Sequence, residues 1–121
     1  MMKKSILIID DEEKIRKLYK RLFQSTGLSV FEIIETSNAT EATDYLIRQR
    51  VDLIILDINL PQISGEIMFE VIREYSDEIK VIVASVYPIE KQKRMIPFAS
   101  DYYDKSNGLL KLLGKVSDNL S

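Results

Sequence analysis

The chain of 121 residues contains no cysteine and no histidine. Without cysteine there is no disulfide, no thiolate metal site and no cysteine nucleophile. Without histidine the commonest general base and the commonest transition-metal ligand are both missing. Any metal site must therefore be built from oxygen, which points to magnesium, manganese or calcium. Long hydrophobic runs are absent too. Two lysines precede the first apolar stretch in MMKKSILIID, but Asp10 ends it too early for a signal peptide. No run is long enough to span a bilayer as a helix. Neither sign of charge dominates: the net charge is −2, and nothing global marks a nucleic-acid or membrane surface. The expectation is a cytoplasmic protein with no direct nucleic-acid or membrane partner. What is present is ordinary for a globular chain, 45% hydrophobic and 30% charged residues, at a length that suits one domain over residues 1–121.

Apolar runs of strand length alternate with stretches of helical period. Ser5–Asp10 is continuously apolar up to its acid, as in a strand buried on both faces. Ile15, Leu18, Tyr19, Leu22 and Phe23 follow at helical spacing, with Gly27 expected to stop the helix. Val30–Ile34 is the second strand. Asn38 with Glu41 reads as a capping box before a helix that puts Ala39, Ala42, Leu46 and Ile47 on one face. Leu53–Leu56 is the third strand, and a loop marked by Pro61 and Gly65 leads to a helix carrying Ile67, Met68, Val71 and Ile72. Val81–Ala84 is the fourth strand. Pro88 and Pro97 bracket a short helix over Glu90–Ile96. Tyr102–Asp104 is a weak fifth strand. Leu109, Leu112, Leu113, Val116 and Leu120 form the last helix, with Ser106 and Asn107 as its expected caps. Five strand–helix units in strict alternation predict a parallel sheet with right-handed crossovers and helices on both faces.

In such sheets ligands bind at the carboxyl ends of the strands. The first strand ends on Asp10 and Asp11, the third on Asp57, the fourth on Ser85 and the fifth on Lys105. Two carboxylates about 5 Å apart repel by roughly 3 kcal/mol at an effective dielectric near 20, and three cost more. They must spread, take protons, pair with Lys105 or hold a divalent ion. Magnesium suits an all-oxygen site and often bridges to phosphate. A lysine and a hydroxyl facing the same point suit phosphoryl oxygens. Each residue also has a plainer reading. Asp10 and Asp11 can cap the first helix, and Asp57 can cap the turn before Pro61. Ser85 can be a strand-end hydroxyl, Lys105 a surface lysine and Tyr102 a core aromatic. Lys91, Lys93 and Arg94 read as a solvated helix face.

The acid pair in IIDDEE, the acid in LIILDINLPQISG, the hydroxyl in VIVASVY and the lysine in DYYDKS fall in order at strand ends. With them the chain resembles the receiver domain of two-component response regulators over nearly its whole length. The resemblance implies a flavodoxin-like (βα)5 sandwich with strand order 2-1-3-4-5. It implies that Asp57 is the phosphoacceptor, receiving its phosphoryl group from a phosphohistidine on a sensor kinase or phosphotransfer protein. Asp10, Asp11, Asp57 and the backbone carbonyl of Asn59 would hold Mg2+, with Mn2+ as a substitute. Ser85 and Lys105 would contact phosphoryl oxygens, and Ser85 and Tyr102 would report activation, Tyr103 taking that role if the register slips by one. Such a domain assists its own phosphorylation and reset but is not a conventional enzyme.

The implied output surface surrounds helix 4, strand 5 and helix 5, with Ile89, Met95, Tyr102, Lys111 and Lys115 as candidate contacts for a downstream protein. A stand-alone regulator, monomeric or weakly dimeric, is the expected form. The alternatives are a receiver from a longer regulator and a receiver-fold module that signals without phosphate. A phosphatase with two acids in its nucleophile motif is disfavoured, because Asp57-Ile-Asn59 lacks the second one. Three features depart from the family pattern. Val86 is larger than the small residue usual after the hydroxyl, and Ser106 replaces the usual proline after the lysine. The Ser85–Lys105 segment is about two residues shorter than usual, so helix 4 is expected to be short or irregular.

Overall fold

The computed structural model describes residues 3–25 and 31–121. Five parallel strands, β1 (Lys4–Ile9), β2 (Phe31–Thr36), β3 (Leu53–Leu56), β4 (Lys80–Ser85) and β5 (Asp101–Asp104), form one sheet in the order β2-β1-β3-β4-β5. Each is followed by a helix: α1 (Glu13–Ser25), α2 (Ala39–Arg48), α3 (Gly65–Tyr75), α4 (Ile89–Met95) and α5 (Leu109–Leu120). This is the expected flavodoxin-like architecture. Gly27 and Val30, expected at a helix end and a strand start, lie outside the described residues.

The continuous apolar runs are explained by what covers them. On one face Leu7, Ile9, Ile54, Leu56, Val81 and Val83 pack with Ala42 and Leu46 of α2, Met68 and Ile72 of α3, and Ile96 just past α4. On the other, Ile6, Ile8, Leu53, Ile55, Ile82 and Ala84 pack with Tyr19 and Phe23 of α1 and Leu112 and Val116 of α5. A parallel strand therefore has no solvent side on which to place polar residues. Each such side chain contributes about 1.5–3 kcal/mol on burial, so the polar residues of the central strands are pushed to their ends.

Local details differ from the sequence reading. Ile47 is 64% exposed, because it stands about 100° around α2 from the buried Leu46. Leu18 and Ile67 also face out. Asn38 Oδ1 accepts from the Glu41 N–H at 2.9 Å, the first half of a capping box. The returning bond lands one residue early: Glu41 Oε1 accepts from the Ser37 N–H and hydroxyl, at 2.7 and 2.8 Å. Those bonds hold Glu41 below the usual carboxylate range. Ser106 and Asn107 do not cap α5, whose N-cap is Gly108 without a side-chain bond. Instead the Ser106 N–H and hydroxyl donate to Asp104 Oδ1 at 2.9 and 2.7 Å, closing a turn around Lys105. The helix expected to be short is so: α4 has 7 residues.

Candidate functional site

β1 and β3 run side by side with Ile9 opposite Leu56, so Asp10 and Asp57 leave the sheet together. Asp10 is 1% exposed and Asp57 5% exposed. Lys105 follows the edge strand β5, yet its ammonium reaches across the sheet edge. Its Nζ lies 2.8 Å from Asp10 Oδ2 and 3.5 Å from Asp57 Oδ2. The other oxygens are held locally. Asp10 Oδ1 accepts from the Glu12 N–H at 2.9 Å, and Asp57 Oδ1 accepts from the Asn59 N–H at 3.2 Å. One Asp10 oxygen thus closes a turn just before α1 without capping the helix itself, and the other meets the lysine.

The electrostatics follow from this burial. Asp57 is raised to about 6, chiefly by burial, with the Lys105 charge opposing and the Asp10 charge adding to the rise. Burial alone would lower the Lys105 ammonium, but the bond to Asp10 and the charges of Asp57 and Asp10 leave it above its ordinary value. One oxygen from each of Asp10, Asp11 and Asp57 lies within 4.8 Å of the others, the one such acidic group among the described residues. Ligands on opposite sides of a magnesium ion stand about 4.2 Å apart, twice the bond length of about 2.1 Å. Neighbouring ligands stand closer, about 3 Å apart, so the three carboxylates would close in on such an ion or reach it through a bridging water. Carboxylate oxygen is also the donor chemistry magnesium takes.

Ser85 ends β4 and is fully buried. Its Oγ accepts from the Tyr87 N–H at 3.2 Å, which leaves its own proton available for donation. The Ser85 carbonyl accepts from the Lys105 N–H at 2.8 Å, tying the hydroxyl's strand to the lysine's. Asn59 is exposed on the loop after β3. That loop turns through Gln62, at φ 74°, before Ser64 caps α3 by accepting from the Ile67 N–H at 3.3 Å. Gly65 proves to be the first residue of α3, and its close approach is required: a Cβ there would stand 2.5 Å from the Asp57 carbonyl oxygen and 2.6 Å from Ile58 Cα.

Tyr102 and Tyr103 point to opposite faces. Tyr102 packs in the α2–α4 core, its hydroxyl donating to the Ile96 carbonyl, with Lys93 Nζ 6.0 Å from its ring centre. Tyr103 packs under α5 and donates to the Asn107 carbonyl at 2.8 Å. Val86 stands 66% exposed beside the buried Ser85. The Lys105–Ser106 peptide, like every described peptide bond, is not cis.

Three residues near this edge were not among the site residues expected from the sequence. Arg16 donates to the Asp10 carbonyl at 2.8 Å and to Glu35 Oε1 at 3.3 Å. Tyr19 is buried with its hydroxyl unpartnered, and burial, with Asp10 next, pushes its phenol far up. Gln92 is fully buried within the run taken as a solvated basic face. Only the helical phase, counted from the buried Ile96 four residues on, marks Gln92 as inward.

A parallel sheet in the order β2-β1-β3-β4-β5, with three aspartates and a lysine gathered at its carboxyl edge, is the architecture of receiver-type signalling domains. The chain belongs to the response regulator receiver domain family, whose model matches residues 6–116. Over 117 residues it is 33% identical to the transcriptional regulatory protein YvrH of Bacillus subtilis, covering 96% of this chain and 48% of YvrH. It is 42% identical over 64 residues to the polar-differentiation response regulator DivK of Brucella anthropi, covering 53% of this chain and 50% of DivK. The chain thus spans about half the length of these two relatives.

Among solved structures, the response regulator TrrA of Thermotoga maritima in complex with Mg2+-BeF is 34% identical, with a TM-score of 0.84 over 96% of this chain and 98% of TrrA. TrrA in complex with the histidine kinase ThkA gives 35% identity and a TM-score of 0.86, over 98% of this chain and 99% of the matched one. Receiver domains are signalling modules of two-component systems. No helix among the described residues is long and apolar enough to cross a membrane.

Proposed function

We propose that Asp57 accepts a phosphoryl group from a phosphohistidine of a sensor kinase or histidine phosphotransfer protein, and that the change at this edge alters affinity for a downstream protein. The observation that carries this reading is the Lys105 ammonium, held between Asp10 and Asp57 at the end of the two central strands. An Asp57 oxygen attacks phosphorus in line, the P–N bond of the donor breaks, and the imidazole leaves with its electron pair to take a proton. With a value of about 6, Asp57 is mostly ionised at neutral pH and needs no base to become a nucleophile. Lys105 stands 3.5 Å from the attacking carboxylate and pairs with phosphoryl charge as it arrives. Ser85 offers its hydroxyl proton to a second phosphoryl oxygen.

Asp10, Asp11 and Asp57, with the backbone carbonyl of Asn59, would hold Mg2+, or Mn2+ in its place. The ion supplies neutralisation of phosphoryl charge when bound. The Mg2+-BeF complex and the kinase complex of TrrA support the metal and the partner by likeness. The product is an acyl phosphate, open to hydrolysis, so the domain assists its own phosphorylation and reset without being an enzyme in the ordinary sense. A cytoplasmic location, one kinase or phosphotransfer partner and a monomer or weak dimer complete the reading. Tyr102, buried beneath α4, is the aromatic that would follow Ser85 on activation, and Ile89, Met95, Lys111 and Lys115 would border the surface it changes. Incubation with Mg2+ and acetyl phosphate should add one phosphoryl mass to the intact protein and none to Asp57→Asn. An unlabelled parent, or a labelled variant, rejects the assignment.

A further inference from the structure

Gln92 sits on the inner side of α4 and is fully buried, while Lys91 and Lys93 beside it are exposed. Its Nε2 donates to the Tyr87 carbonyl at 2.7 Å and the Tyr103 carbonyl at 3.0 Å, and approaches the Ser85 carbonyl at 3.4 Å. The reverse amide orientation would set Oε1 against three carbonyl oxygens, so the environment itself decides which end is nitrogen. Oε1 is buried without a partner. Burying half an amide unpaired is unfavourable, and only the three carbonyls at the other end offset it.

Those carbonyls belong to three pieces of chain: the end of β4, the β4–α4 loop and β5. The Ser85 carbonyl also accepts from the Lys105 N–H, at 2.8 Å. Gln92 therefore clasps together the two strand ends that carry the Ser85 hydroxyl and the Lys105 ammonium. Its hydrogen bonds reach none of Asp10, Asp11 and Asp57. We propose that Gln92 is a positioning residue for phosphoryl transfer at Asp57, holding Ser85 and Lys105 in mutual register through the backbone. This rests on the reading of Asp57 as phosphoacceptor.

A clasp of this kind separates two properties that a general loss of structure would lower together. The carboxylates that would take Mg2+ follow β1 and β3, whereas Gln92 bonds only the end of β4, its loop and β5, and a loosened Lys105 would leave those carboxylates no weaker toward a cation, so Mg2+ affinity should not fall without it. The groups that meet the phosphoryl oxygens depend on it. The test uses the full chain and Gln92→Met, which keeps the side chain's length and removes its donors. Mg2+ affinity is measured by calorimetry, and the rate of phosphoryl gain from acetyl phosphate by intact mass. The expected result is Mg2+ affinity equal to the parent's within about twofold or higher, and a labelling rate lower by about fivefold or more. Where Gln92→Met fails to fold by circular dichroism, Gln92→Asn keeps the amide, shortens its reach by one methylene and should show the same split. Equal labelling rates overturn the inference, and so does a parallel loss of metal affinity and rate. A parent that takes up no phosphoryl group rejects the phosphoacceptor reading and this inference with it. A labelled parent beside an equally fast variant rejects the inference alone.

Discussion

The two ends of the sheet treat a carboxylate differently. At the amino end Asp52 stands before β3, and its Oδ2 accepts from the Ser5 N–H at 2.8 Å. Its Oδ1 pairs at 3.3 Å with Arg50, whose side chain is 74% exposed. A cleft of about 490 Å3 opens there, lined by Arg50, Asp52, Tyr75 and Ile79 among others. At the carboxyl end three carboxylates converge, two of them buried, around one lysine. The lower acid is satisfied by its neighbours, whereas the upper group sets three carboxylates against one ammonium. Unbalanced buried charge, rather than cavity size, marks the site. The cleft at the amino end carries no comparable imbalance.

The comparison is sharpened first where the upper edge is most tightly built. Gly65→Ala puts a Cβ against the backbone of Asp57 and Ile58, which cannot rotate away. We expect a loss of about 3 kcal/mol or more, at the top of the range for overpacking, together with loss of phosphoryl uptake. Urea unfolding and intact mass check both. The second test uses opposite signs. Without metal above pH 6, Asp57→Asn should stabilise the protein by up to roughly 3 kcal/mol, from a shift of about 2 units at 1.36 kcal/mol each. Asp52→Ala should cost about 1–3 kcal/mol, because the mostly buried Ser5 N–H loses its acceptor. If both substitutions destabilise by the same amount, the two ends do not differ as described. The smallest effect is at Gln62, whose φ of 74° strains a residue with a Cβ. Gln62→Gly should stabilise by about 0.5 kcal/mol, the relief being partly cancelled by the freer unfolded chain. Thermal unfolding resolves a gain of that size from none.

Much of this was legible from residue order. The strands announced themselves because both their faces are covered, which leaves no room for alternation, and the polar residues at their ends then mark the site edge. Asp10, Asp57 and Lys105 do meet there. Features set by long-range packing were not legible. Gln92 lies between lysines in a polar run, and only the fold supplies its three backbone partners. Ser106 and Asn107 have good capping chemistry, but α5 begins only after Gly108, and Ser106 instead turns its N–H and hydroxyl back to Asp104. Ile47 continued an apolar run that helical phase alone turns outward. Which tyrosine lies on the α4 side of the sheet rested on a register that only the paired strands establish, with Val83 opposite Tyr102.

The most direct test of the central claim is stability against pH with and without Mg2+. The folded form holds the Asp57 proton more tightly than the unfolded chain, so lowering pH through about 6 should stabilise the metal-free protein until the ordinary carboxylate range is reached. The carboxylates held low, Glu35, Glu41 and Asp104, give up their contribution as pH falls from their ordinary values of 4.5, 4.5 and 3.8 downward. Lys105, held high, loses its contribution only above its ordinary value of 10.5. Between about pH 8 and about pH 5 the account predicts a gain of about 1.4 kcal/mol without metal. It predicts that saturating Mg2+ removes or reverses that gain. Identical pH profiles with and without Mg2+ would contradict it.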